Sequence, residues 1–108
     1  MGKDMLQVLS HPDMERHVPS LGHPESPARL RAVVSALAGN GGNWDLDETW
    51  QPAPEDDTLG VARWIHEAAL IDRIREGVQR APAQIDGPDN PVSAGSWDAI
   101  VTAAGLAV

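Results

Sequence analysis

Leu30, Val33, Val34 and Leu37 recur at i, i+3, i+4 and i+7, the spacing of one apolar stripe on an amphipathic helix. Upstream of the stripe, Pro24 and Pro27 fix their own φ and push His23 and Ser26 toward extended backbone. Ser26 is placed to cap the helix and Pro27 to occupy its first position, while Gly39 and the Gly41-Gly42 pair stop it. Before this junction, Met5 to Leu9 is short and almost continuously apolar, which predicts a single strand of the kind buried in a parallel sheet, with no partner evident in the pattern. Residues 10–26 read as a long loop carrying His11, His17 and His23. Trp44 and Trp50 bracket the acidic run Asp45-Leu46-Asp47-Glu48, which reads as a connection that lays two indoles on the core.

Two further helices are expected in the middle of the chain. The first opens at Glu55 with Glu55, Asp56 and Asp57 in its first turn, where carboxylates favour the dipole, and buries Leu59, Ala62, Ile65 and Val61. The second starts near Glu67, turns Leu70, Ile71 and Ile74 inward and stops at Gly77. Residues 78–95 hold Pro82, Gly87, Pro88, Pro91 and Gly95 and read as a second long loop. A last helix opens at Ser96 and is expected to bury Trp97, Ile100, Val101, Ala104 and Val108. The chain closes on that stripe, as a cut within or just after a helix would leave it.

Composition narrows the picture. The 108 residues allow at most one small domain, and the apolar 42% is rich in Ala and has no Phe or Tyr. With Gly 10 and Pro 9 the side-chain volume for a core is small, so independent folding is not favoured. A net charge of −8 disfavours nucleic acid and anionic membranes as partners. No apolar run is long enough for a transmembrane helix. The absence of Cys excludes disulfides and thiolate metal sites and fits a cytoplasmic protein.

The run Gly22-His23-Pro24-Glu25, with Pro27 and Arg29-Leu30, resembles the entry motif of the zinc-dependent histone deacetylase superfamily, which includes acetylpolyamine amidohydrolases and acetoin-utilisation proteins. Three more segments follow in that family's order: Pro52 to Thr58, Val61 to Ile74 around His66, and Asp89 through Val92-Ser93 and Gly95-Ser96-Trp97 to Gly105. The resemblance implies an α/β chain, the N-terminal part of the three-layer arginase/deacetylase fold. Residues 1–108 would be an incomplete portion of one deacetylase domain, mostly helix and loop with one short strand. In such an enzyme a zinc ion held by two aspartates and a histidine polarises an amide carbonyl and activates water, releasing acetate from acetyl-lysine, an acetylpolyamine or a similar amine. The family's paired histidines and Asp-x-His lie beyond Val108 in this alignment of motifs, so no catalytic residue and no metal ligand is assigned within the chain.

Some residues carry implied roles. Asp89 matches a rim aspartate that accepts hydrogen bonds from substrate amides; its plainer role is a turn ahead of Asn90-Pro91, and Asn90 and Gly87-Pro88 depart from the family pattern. Arg29 matches an arginine at the pocket floor beside an internal channel, against the alternative of an exposed helix arginine. His23, Pro24, Glu25 and Pro27 are structural parts of the motif. His66-Glu67-Ala68-Ala69-Leu70 misses His-Glu-x-x-His because Leu70 stands where the second imidazole belongs, so His66 is read as a packing or loop-anchoring residue. His11, His17 and His23 are six apart, which is not a known ligand spacing on a helix or hairpin, and are read as solvated or hydrogen-bonded loop histidines. The rival class is a non-catalytic acidic helical interaction module, whose signature is a stable homo-oligomer.

Overall fold

A computed structural model describes residues 6–19, 26–39, 42, 44–87 and 90–108. Strand β1, Leu6–Leu9, is followed by a 3-10 helix, Pro12–Arg16, and by helix α1, Pro27–Gly39. Strand β2 is Trp44–Asp47, and helices α2, Glu55–Ala62, and α3, Ala68–Gln79, follow it. Two short strands, β3 at Ala83–Gln84 and β4 at Pro91–Val92, precede the last helix, α4, Ser96–Ala107. The chain is thus a mixed α/β structure.

The strand expected to stand alone is paired. β1 and β2 run parallel, with Leu6 opposite Trp44 and Leu9 opposite Asp47, and α1 connects them, which makes a βαβ unit. The acidic segment read as a connection is therefore a strand. Its alternation explains this: Trp44 and Leu46 are half-buried while Asp45 points to solvent, a period of two that the carboxylates obscure. Asp47 ends the strand by accepting hydrogen bonds from the Thr49 hydroxyl at 2.7 Å and the Thr49 N–H at 2.8 Å. Those bonds, the hydroxyl's first, hold the Asp47 carboxyl below the usual carboxylate range. The indole of Trp44 donates to the Leu37 carbonyl at 2.9 Å and ties β2 to the end of α1.

The two long loops also contain structure. His11 caps the 3-10 helix by accepting from the Asp13 N–H at 3.1 Å, and Pro12 takes its first position. Arg31 of α1 reaches Glu15 of that helix at 2.9 Å. Within 78–95, α3 continues past Gly77 to Gln79, and β3 pairs antiparallel with β4, Ala83 opposite Val92. Gly77 lies inside α3, and Ile85 packs against its bare backbone; an added Cβ would meet Ile85 Cγ1 at 2.9 Å.

Burial on the helices departs most from the expected pattern. α1 opens at Pro27 and ends at Gly39 as predicted, yet none of its residues is buried and Val33 is 56% exposed. α2 ends at Ala62, so Ile65 falls off the stripe and is 80% exposed beside Trp64 at 82%. α4 buries Ser96, Ala99, Thr102, Gly105 and Leu106 instead of the larger apolar set. The cause is close backbone approach: the Gly105 carbonyl accepts from Ala53 N–H at 3.0 Å, and a Cβ on Gly105 would stand 3.1 Å from the Ala53 carbonyl oxygen. Only small residues fit there. The buried apolar set among the described residues is Leu59, Ile71, Val78, Val92, Ala99 and Leu106.

Two glycine substitutions test this packing in opposite directions. A Cβ on Gly95 would collide with the carbonyl oxygen of Arg16 and lie 2.8 Å from the Arg16 Cβ, whereas one on Gly60 meets nothing within 4 Å. Gly95→Ala is expected to lower unfolding stability by about 1–3 kcal/mol as overpacking does. Gly60→Ala is expected to raise it by about 0.5–1 kcal/mol through helix propensity. Urea unfolding followed by circular dichroism reads both.

Candidate functional site

The N-terminus of α4 is where distant parts of the chain meet. Ser96 has 0% of its surface exposed. Its hydroxyl oxygen accepts from the Ser93 N–H at 2.7 Å and lies 2.6 Å from His17 Nδ1 and 3.1 Å from Ser93 Oγ. Ser93 Oγ in turn accepts from the Val18 N–H at 2.9 Å and donates to the Arg16 carbonyl at 3.2 Å. Outside this network Arg16 pairs with Asp98 at 2.7 Å, a second link between the 3-10 helix and α4. Gly95 permits the contact because nothing but hydrogen fits against the Arg16 carbonyl.

His17 forms part of the wall of an open cleft of about 380 Å³. Leu70 and Ile74 of α3, Ile100 of α4, Ile85, Pro91 and Val92 supply its apolar surface, and Asp86 and Asn90 its other polar groups. Between β3 and β4, Ile85 N–H donates to the Asn90 carbonyl at 3.0 Å and Asn90 N–H to the Gly87 carbonyl at 3.3 Å. Asp86 sits at φ 57 in that turn and faces Arg73 at 3.5 Å. A mainly apolar concavity with a few convergent polar groups is the usual form of a small-molecule site.

A second concavity, about 180 Å³ and almost wholly apolar, runs between α2, α3 and α4. Leu59, Ile71, Trp97, Val101 and Ala104 line it, so the face of α4 expected to be buried forms the wall of a groove. Trp97 is fixed there by its indole N–H donating to Glu55 at 2.9 Å and by Arg75, whose guanidinium lies 4.6 Å from the ring centre.

The residues singled out from the sequence are distributed as follows. His23, Pro24, Glu25 and Asp89 lie outside the described residues. Pro27 is the first residue of α1. Arg29 stands exposed on α1, and its N–H bonds the Ser26 carbonyl at 3.1 Å. His66 is exposed at the edge of the apolar groove. His11 is a helix cap, and among the described residues no group of three or more His, Cys, Asp or Glu is arranged to hold a metal ion. The His17–Ser96–Ser93 network was not foreseen. Ser96 marks the start of the last helix in the sequence, but nothing local ties it to a histidine 79 positions earlier.

No family model, no curated protein and no solved structure matches the chain. Among the described residues no helix is long and apolar enough to cross a membrane.

Ser96→Ala removes the buried acceptor of the Ser93 N–H, which is expected to cost about 1–3 kcal/mol of stability. Thermal unfolding of the variant beside wild type checks it.

Proposed function

We propose that this chain is the N-terminal part of a zinc-dependent deacetylase, an amide hydrolase acting on an acetylated amine, and that it supplies rim loops and framing helices to the substrate pocket. The observation that carries the reading is the position of the segment resembling the family's rim. Asn90, Pro91 and Val92, next after Asp89, line the 380 Å³ cleft, where a carboxylate acceptor for substrate amides would serve. The βαβ unit supports the architectural side of the reading, an edge of a larger three-layer α/β fold. Both strands of β1–β2 have only each other among the described residues, and Leu6 is 67% exposed. A parallel sheet of this kind normally has both faces covered.

The described residues do not fit a zinc site, so in this reading the metal ligands come from residues outside this chain. Arg29 then reaches a pocket only if further elements cover α1. The cytoplasm is the proposed location, and the net charge of −8 speaks against nucleic acid as a partner. One observation favours the other class, an acidic helical module: Trp64 and Ile65 stand side by side at 82% and 80% exposure. A defined oligomer by size-exclusion chromatography would support that class.

The purified chain is expected to show no turnover of an acetyl-lysine peptide or an acetylpolyamine above background with zinc added. Chelator-sensitive turnover by it alone would overturn the assignment. A longer product of the same reading frame, carrying paired histidines and an Asp-x-His, is expected to deacetylate. In it Asp89→Ala should lower kcat/KM by about tenfold or more, the loss of one charge-assisted hydrogen bond.

A further inference from the structure

β1 and β2 run parallel and end side by side, and a cavity of about 190 Å³ lies just past their carboxyl ends. Ser10 and His11, which follow β1 directly, and Glu48, which follows β2, are in its wall. The Ser10 N–H donates to the Asp47 carbonyl at 3.0 Å and holds the two strand ends together. Glu15 of the 3-10 helix and Arg31 of α1 complete the charged part of the lining, and Leu30 and Val34 supply apolar surface. No lining residue is shared with the cleft at His17. The carboxyl end of a parallel sheet is the end at which α/β folds bind ligands.

The polar groups of this cavity have fixed hydrogen-bonding roles. A backbone N–H only donates, so the Asp13 N–H at 3.1 Å makes His11 Nδ1 an acceptor, and neutral His11 carries its proton on Nε2. The Asp13 carboxylate is 3.9 Å from the same Nδ1, too far for a hydrogen bond. Nε2–H is therefore a donor only, as is the Arg31 guanidinium, which spends one N–H on Glu15 at 2.9 Å. Glu15 and Glu48 only accept. An anion would meet two carboxylates against one guanidinium. A cation would offer nothing to Nε2–H. A hydroxyl both donates and accepts, so it alone among simple groups answers both kinds of wall.

We propose that this cavity is a binding site for a small uncharged polyol of single-sugar size, whose hydroxyls accept from His11 Nε2–H and donate to Glu48. The C–H face of such a molecule matches Leu30 and Val34, and Ser10 and Ser35 add hydroxyls of their own to the wall. The site is separate from the pocket assigned to the deacetylase and does not rest on that assignment.

Long-range ¹⁵N–¹H spectra of the labelled chain, recorded at alkaline pH where imidazole is neutral, read the His11 tautomer directly. Nε2–H is the expected form, and Nδ1–H would overturn the proposal. D-ribose is then titrated in, with acetate and methylammonium as the charged comparisons. Ribose is expected to shift the His11 ring resonances saturably while the two ions leave them in place. No saturable shift with ribose, or an equal one with either ion, would overturn it as well. His11→Asn keeps a side-chain oxygen to cap the 3-10 helix and removes Nε2–H, and Glu48→Ala changes an exposed residue, so neither variant depends on rebuilding the fold. Each is expected to weaken ribose binding by about tenfold or more, read from the remaining shifts of the cavity residues. Unchanged affinity in either one would remove the assigned contact and the proposal with it. None of these readouts uses turnover, so an inactive longer enzyme would remove the deacetylase assignment and leave this site standing.

Discussion

The buried Ser96 hydroxyl is the point at which three separate segments of this chain meet. Ser96 has no exposed surface, and around it converge the end of the 3-10 helix, the Ser93 segment after β4 and the first turn of α4. A hydroxyl that both donates and accepts can join segments that cannot bond one another, since each backbone group offers a single role. Burial raises the stakes, because an unmatched polar group in a low-dielectric setting is costly. Gly95 is the steric condition for the arrangement, and the half-exposed Arg16–Asp98 pair adds a second link between the 3-10 helix and α4.

That junction sets what α4 can bury. Drawn against the 3-10 helix and the Ala53 backbone, α4 must present its small side, Ser96, Ala99, Thr102 and Gly105. Its large side, Trp97, Ile100 and Val101, is turned toward α2 and α3, where the three helices leave a groove between them. An Ala-rich composition with few aromatics lacks the volume to fill both sides. Trp64, Ile65 and Leu6 stand exposed on the same molecule.

The cleft follows from the same geometry. α3 and α4 form one side, and the β3–β4 pair and its turn form the other, with His17 delivered from far upstream in the sequence. Its polar groups reach it by different routes: Asp86 through a left-handed turn residue, Asn90 through the backbone bonds that close the turn, His17 through Ser96.

Helix starts were legible in the sequence because their signals are local. Pro27 behind Ser26, the acidic first turn at Glu55 and the opening at Ser96 each act within a few residues, and all three helices begin there. Strand β2 was not, since its alternation is short and its carboxylates mimic a loop; pairing with β1 is what makes it a strand. Which face each helix buries was also undecided locally: a stripe shows that a helix has an apolar side, while the neighbour that approaches most closely chooses the buried one. The cleft's histidine shows the same limit. The sequence alone determined where the chain turns from loop to helix, whereas the tertiary structure decided that His17 would meet Ser96, because a hydrogen bond between residues 79 positions apart exists only once both ends are held in place.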